Sequence, residues 1–435
     1  MLGTAGEIIV AKIRALAGDG PHGVAVSGGG DSMALLSIAH EAGFSISAAT
    51  VDHGLRPESA AEAEMVSAFC AEKGLDHQTL TIPPLEGTGN LPARARKARY
   101  EALTEWASGR GLHSVLLGHT LDDQAETALM RLARGSGIDG LAAMEERRSH
   151  GGIAWVRPML TVKRETLRTW LRQRGVVWVD DPTNEDLSYD RVKLRQAIPV
   201  LEQLGVTVDG LAATASRLRR QAEPLAALAD ALCSVSRMDG VYGELTFDRR
   251  ALAGAHYDTS HRVLKSALSD VSHAPYPPRF RALAEVIEAL PGEKPETFTL
   301  GGCVVTMFEE SVVVCREPAA TAAATIKPGV ILWDQRWRVD APEVPEDLFV
   351  ASLGESGLQA LAANVNATGR SLPAGWGSLS RYAQRAVPAI FSSIEANRSS
   401  LMAVPIIGVT VDPAASGISV SLVSPLNGRA EDNDL

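Results

Sequence analysis

The chain has 435 residues, more than one hydrophobic core ordinarily serves, so two or three domains are expected. With 45% hydrophobic and 22% charged residues and no apolar run near the roughly eighteen a membrane helix needs, the composition is that of a soluble globular protein with no membrane partner. The formal charge of −10 argues against non-specific coating of nucleic acid.

The opening Met-Leu-Gly-Thr-Ala-Gly-Glu lacks the basic stretch and apolar core of a secretory signal. Cys70, Cys233, Cys303 and Cys315 form neither a Cys-x-x-Cys pair nor a zinc-spaced cluster, so reduced structural thiols in a cytoplasmic protein are expected. The first two hundred residues alternate short apolar strands (24–26, 45–51, 78–82, 114–117, 153–156, 176–179) with helix-like stretches (31–41, 60–72, 91–108, 122–134, 163–173). This alternation predicts an α/β fold with a doubly wound parallel sheet, whose ligands bind beyond the carboxyl ends of the strands.

The first strand runs into Ser27-Gly28-Gly29-Gly30-Asp31-Ser32 and then an amphipathic helix. Consecutive glycines let the backbone turn sharply and bring N–H groups close to an anion, and a helix N-terminus adds roughly half a positive charge there. The simpler reading is an ordinary glycine turn with Asp31 as helix cap. A Walker loop is excluded, because no lysine follows. The dinucleotide fingerprint is nearer, with Asp52 at the end of the next strand, but Met33 stands where its third glycine belongs.

Further on, residues 91–100 form a helix start carrying Arg94, Arg96, Lys97 and Arg99, with Arg96 and Tyr100 four apart on one face. A solvated face is the simple reading; presentation of Arg99 to a phosphate or carboxylate is the sharper one. After the strand at 114–117 comes His119-Thr-Leu-Asp122-Asp123-Gln124-Ala-Glu126-Thr127. Its carboxylates share the first turn of a helix, where acids complement the dipole. Capping explains one of them; three carboxylates, a histidine and Gln124 at a strand end fit a cationic substrate or a metal–phosphate complex.

From 157 to 174 six cations (Arg157, Lys163, Arg164, Arg168, Arg172, Arg174) face the single acid Glu165, a candidate RNA surface against the commoner solvated helix face. Asp181-Pro-Thr-Asn184 is turn chemistry, after which Arg191, Lys193 and Arg195 enter a helix. Past 205 the texture becomes Ala/Leu-rich: one long helix over 208–232 broken near Pro224, helices at 261–268 and 278–290, and a hairpin over 298–315 turning at Gly301-Gly302. From 326 apolar runs bounded by Pro and Gly suggest a small, mainly β domain, with 428–435 as a disordered tail. The expected domains are 1–205, catalytic; 206–318, helical with the hairpin and a candidate for binding tRNA through Arg217, Arg219 and Arg220; and 319–435.

Ser-Gly-Gly-x-Asp-Ser resembles the pyrophosphate loop (PP-loop) of the ATP pyrophosphatases, with their adenine nucleotide alpha hydrolase-like fold. In one order the chain carries this loop, Asp52-His53-Gly54-Leu55-Arg56, Ala95-Arg96-x-x-Arg99-Tyr100, Gly118-His119-x-x-Asp-Asp-Gln-Ala-Glu-Thr and Leu132-x-Arg134-Gly135-Ser136-Gly137. Arg157-Pro158-Met159-Leu160 and Asp181-Pro-Thr-Asn184 complete the set. Over about residues 20 to 205 it is similar to the tRNA(Ile)-lysidine synthase family.

That resemblance implies ligation of free L-lysine to the wobble cytidine of tRNA(Ile) with a CAU anticodon, through an adenylated cytidine, with AMP and pyrophosphate released. It implies ATP and Mg²⁺, with Ser27, Gly28, Gly29, Gly30, Asp31 and Ser32 holding the phosphates. Asp31, Arg99, Asp123 and Glu126 are the catalytic candidates; His119, Asp122, Asp123, Glu126, Arg191 and Arg195 are the substrate-binding ones. A tRNA thiolase of the same superfamily would need paired or persulfide-forming cysteines, and a non-catalytic nucleotide binder would not need the carboxylates. The oligomeric state, a homodimer included, is left open.

Overall fold

The structure is a computed structural model of the chain, described over residues 2–52, 58–82, 91–180, 190–274, 278–344, 347–394, 398–412, 415 and 417–423. The chain divides into two compact units, Met1–Glu223 and Pro224–Asn433.

The first unit runs α1 (Gly3–Ala17), β1 (His22–Ala25), α2 (Gly30–Glu41), β2 (Ile46–Asp52), α3 (Glu58–Glu72), β3 (Asp76–Thr81), α4 (Leu91–Gly109) and β4 (Ser114–Leu117). It continues with α5 (Leu121–Ala133), α6 (Ile138–Leu141), β5 (Arg147–His150), β6 (Ile153–Val156), α7 (Arg164–Gln173) and α8 (Asp190–Gln203). The strand order is β3-β2-β1-β4-β6-β5. All neighbours are parallel except β5, which turns back on β6 antiparallel.

Alternation along the strands builds a core on each face of the sheet. Val24, Val26, Leu116 and Val156 join Ile9, Ile13, Met33, Leu35 and Trp170 in one buried cluster. Ala25, Val115, Leu117 and Trp155 join Tyr100, Leu103 and Trp106 in the other. Met33, which breaks the dinucleotide fingerprint, is wholly buried.

β1 pairs with β4 from His22↔Ser114 to Ala25↔Leu117, and the chain leaves these two strands toward opposite edges of the sheet. That is the switch point where a doubly wound sheet opens its crevice. The glycine loop leaves one lip and Gly118-His119 the other.

Several expectations change. Residues 176–179 form no strand: Val179 N–H bonds to Gly28 O at 3.0 Å, so the segment lies along the glycine loop rather than in the sheet. The helix α1 and the edge strand β5 had no marked sequence pattern. The turn at 181–184, residues 53–57 and the tail lie outside the described residues.

Pro224 does not break its helix, which runs from Val208 to Ser236 as α9. In the second unit an antiparallel five-stranded sheet, with Cys303–Met307 between Glu296–Leu300 and Ser311–Arg316, packs on the helices Tyr257–Ser272 and Phe280–Ala289. A second five-stranded sheet and a three-stranded sheet follow, with an unforeseen helix Gly354–Thr368.

Candidate active site

The glycine loop has the geometry of an anion cradle. Gly28 has φ +82°, a left-handed turn that a side chain resists, and a Cβ there would lie 3.2 Å from Met65 Cε. Ser32 Oγ accepts from Ser27 N–H at 3.1 Å and donates to Gly29 O at 2.9 Å, which locks the turn. The first bond of α2 closes from Met33 N to Gly29 O, so the N–H groups of Gly30, Asp31 and Ser32 precede the helical ladder and face outward at its positive end. The other lip presses close: a Cβ on Gly118 would stand 3.0 Å from Ser32 N and Cα.

α5 begins at this second lip. Thr120 is its N-cap in a capping box with Asp123, whose Oδ2 accepts from Thr120 N–H and Oγ1–H, both at 2.8 Å. Capping thus accounts for one oxygen of Asp123 and leaves Oδ1 facing the crevice. Glu126 lies one turn on, fully buried. Gln124 instead forms a reciprocal pair with the Met144 backbone at 2.8 Å, a bracket for the following turn, and is not part of the site. Asp122 accepts the first N–H of α7, from Arg164, at 2.8 Å.

Arg164 joins the two lips. Its Nε donates to Asp31 Oδ2 at 2.9 Å, and its terminal nitrogens lie 3.2 Å from Asp123 Oδ1 and 3.4 Å from Glu126 Oε1. Glu126 also takes Arg195 Nε on Oε1 at 2.8 Å and Arg195 Nη2 on Oε2 at 3.3 Å, with Arg191 Nε 3.1 Å from Oε2. The structure therefore gathers Asp31, Asp122, Asp123, Glu126, Arg191 and Arg195 around the loop.

Arg99, half-buried on α4, makes no hydrogen bond with Asp31, Asp123 or Glu126; it lies near Arg96, whose guanidinium sits over the Tyr100 ring at 5.4 Å. Arg164 is the site residue that the sequence grouped with a run of surface cations; its side chain is only 17% exposed and bonds both lips. The available signal was its position: a cation opening a helix opposes the macrodipole, so acids must hold it there.

The rest of that basic run is also engaged within the domain. Arg157 is 2% exposed and donates to Glu145 O at 3.0 Å, Arg168 pairs with Asp180, Arg172 with Glu165, and Arg174 with Glu41 while stacked 3.8 Å above Trp170. Arg157 is thereby taken out of reach of any RNA, while the side chains of Lys163 and Arg172 stay about half exposed beside their acidic partners.

Charge in the site follows from burial against guanidinium. Burial opposes ionisation of Asp123, but Arg164 and the other cations outweigh it and bring the carboxyl down to about 2. For Asp31 burial wins over Arg164, and the carboxyl is raised; its Oδ1 is buried without a hydrogen-bond partner. Burial, with Arg157, Arg191 and Arg96 nearby, pushes His119 down to about 3, so the imidazole is neutral at physiological pH, with a buried, unbonded Nδ1.

A switch-point crevice holding Ser-Gly-Gly-Gly-Asp-Ser on one lip and a carboxylate helix on the other defines a PP-loop ATP pyrophosphatase domain, and residues 8–201 match the PP-loop domain family. The chain is 41% identical over 353 residues to the tRNA(Ile)-lysidine synthase of Ruegeria pomeroyi, covering 80% of this chain and 83% of that one. It is 41% identical over 263 residues to the enzyme of that name from a Bradyrhizobium species (57% and 73% covered), and 35% identical over 329 residues to that of Hyphomonas neptunium (72% and 87%). The chain belongs to the tRNA(Ile)-lysidine synthase family.

Proposed function

We propose that this chain is a ligase that forms lysidine: it joins free L-lysine to the wobble cytidine of tRNA(Ile) bearing a CAU anticodon, changing codon reading from AUG to AUA. ATP adenylates the cytosine 2-carbonyl oxygen, and the lysine ε-amine then displaces AMP. The observation that carries this reading is that a phosphate cradle and an amine-binding carboxylate pair lie one guanidinium apart, through Arg164.

The N–H groups of Gly30, Asp31 and Ser32 and the Ser27 hydroxyl take the phosphate oxygens, the kind of preorganised donor set on which adenylyl transfer depends. Asp123 and Glu126 receive the amine end of lysine. Free lysine, with an ordinary pKa of about 10.4, is neutral about once in 2,500 molecules at pH 7, a deficit of roughly 4.6 kcal/mol. Asp123 and Glu126 orient the amine, and one of them, once its guanidinium partner has moved aside, takes the proton that the amine gives up as it attacks the adenylated cytidine. Arg99 and His119 stand as the remaining candidates to touch tRNA or ATP from the α4 and α5 sides.

Among the described residues there is no group of three or more His, Cys, Asp or Glu side chains arranged for a metal, and the site acids are taken by arginines. A dedicated Mg²⁺ cage does not fit; the ion is proposed to arrive on the triphosphate with its own waters. Three of the four cysteines argue against a thiolase reading: Cys70, Cys303 and Cys315 are buried, with thiols pushed up to about 11, 12 and 12 by burial, and Cys233 is half-buried. No described helix is long and apolar enough to cross a membrane, and the cytoplasmic tRNA pool is the proposed setting.

The test is pyrophosphate release from ATP with bulk tRNA and each amino acid in turn. Sustained turnover with lysine and tRNA together supports the reading; equal turnover with another amino acid, or without tRNA, contradicts it.

A further inference from the structure

Every carboxylate oxygen that would receive the substrate amine already faces a donor. Asp123 Oδ2 is held by both Thr120 groups, and its Oδ1 faces Arg164 at 3.2 Å and Arg191 at 3.8 Å. Glu126 Oε1 faces Arg195 and Arg164, and its Oε2 faces Arg195 and Arg191. An ammonium therefore cannot reach this pair without displacing a guanidinium.

The three arginines are not equally placed to yield. Arg195 grips both oxygens of Glu126, with its shortest contact at 2.8 Å. Arg191 comes from α8 and reaches Asp123, Glu126 and Thr127 on α5. Arg164 lies between α5 and the phosphate loop, bonded to both. Its contacts with α5, at 3.2 and 3.4 Å, are longer than its 2.9 Å bond to Asp31. Nε can keep Asp31 while Nη1 and Nη2 release α5, so the side chain has a pivot.

Resting on the lysine-pocket reading above, we propose that Arg164 competes with the substrate ammonium for Asp123 and Glu126, withdraws onto Asp31 when lysine enters, and thereby sets lysine affinity. It is a positioning residue. The competition has a use: a pocket of exposed carboxylates beside a phosphate loop would attract any cation, including the counter-ions of ATP. A tethered guanidinium is displaced only by a cation shaped to replace both of its α5 contacts. The guanidinium that stays on Asp31 also keeps positive charge beside the bound amine, which disfavours the ammonium form and favours the nucleophilic one.

The experiment compares lysine KM and kcat at saturating ATP and tRNA for wild type, Arg164→Met, Arg164→Lys and Asp123→Asn. Removing the competitor should lower lysine KM by at least about fivefold, the low end of coupling between linked groups. The same variant should lower kcat, because Asp31 loses its partner. Arg164→Lys, which keeps a cation there, should return KM toward wild type. A merely structural arginine would not tighten lysine binding when removed. If Arg164→Met does not fold, Arg164→Gln removes the charge while keeping a hydrogen-bond donor, and the same fall in KM is expected. Unchanged or raised lysine KM in the folded Arg164 variant, with KM raised in Asp123→Asn, overturns the competition. An unchanged lysine KM in Asp123→Asn overturns instead the assignment of the lysine pocket.

Discussion

Gly118→Ala tests whether the two lips of the crevice are held rigidly together. The added Cβ would sit 3.0 Å from Ser32 N and Cα and 3.2 Å from the carbonyl carbon of Asp31. These are backbone atoms at the start of α2, so no flexible side chain can swing away, and either β4 or the loop must retreat by several tenths of an ångström. Overpacking of this kind costs about 1–3 kcal/mol. In a domain of this size each kcal/mol lowers Tm by about 2–4 °C. The same retreat moves Asp31 and the loop N–H groups relative to α5. Since a misplacement of about 1 Å can cost about a hundredfold in rate, a shift of a few tenths should lower kcat by about tenfold. Gly109→Ala is the control, because a Cβ there meets nothing within 4 Å. Thermal unfolding and steady-state kinetics on both variants decide the matter. If Gly118→Ala matches Gly109→Ala in Tm and kcat, the lips are not tightly apposed and the geometric argument fails.

Asp31→Asn and Ser27→Ala should leave the fold intact and lower ATP-dependent activity by about a hundredfold or more, read as AMP production; undiminished AMP in both would remove the loop from the phosphates. Asp123→Asn should raise lysine KM far more than it weakens ATP binding, and equal losses would place Asp123 on the nucleotide. His119 should remain neutral by NMR at pH 5, because its pKa is depressed to about 3, and stability held through it should fade only as pH drops from about 6.5 toward 3. A His119 that titrates near 6.5 would show that burial has been misjudged. For RNA binding, Arg217 and Arg220 are exposed whereas Arg219 donates to Ala142 O and Ala143 O, so Arg217→Glu with Arg220→Glu should weaken tRNA binding and flatten its salt dependence by about two units of slope. Unchanged affinity and slope would move the RNA platform elsewhere.

The parts of the site that were legible in the sequence are those fixed by local rules. Three glycines between a strand and a helix permit a backbone cradle, and acids in the first turn of the next helix complement its dipole, both of which are local patterns. Five of the six strands of the sheet were visible because buried parallel strands are apolar runs bounded by turns. The sixth, β5, reads Arg-Arg-Ser-His, an edge strand with no such pattern. Residues 176–179 have strand chemistry, yet the glycine loop offers Gly28 O to Val179 and the sheet does not receive them. Arg164 escaped because its role depends on partners 133, 41 and 38 positions away in the chain, which no local pattern encodes. The same holds for the basic run around it: composition counted six cations, and the fold pairs most of them with acids or carbonyls from other elements.

The most direct measurement of the central claim is transfer of isotopically labelled lysine into tRNA. Purified protein is incubated with ATP, labelled lysine and tRNA(Ile) bearing a CAU anticodon, and the tRNA is digested to nucleosides for mass analysis. One labelled lysine per tRNA is expected, on the wobble cytidine, with one AMP and one pyrophosphate formed for each. Label appearing in no nucleoside, while ATP is still split to AMP and pyrophosphate in a tRNA-dependent way, would contradict it and leave the phosphate loop serving a different nucleophile.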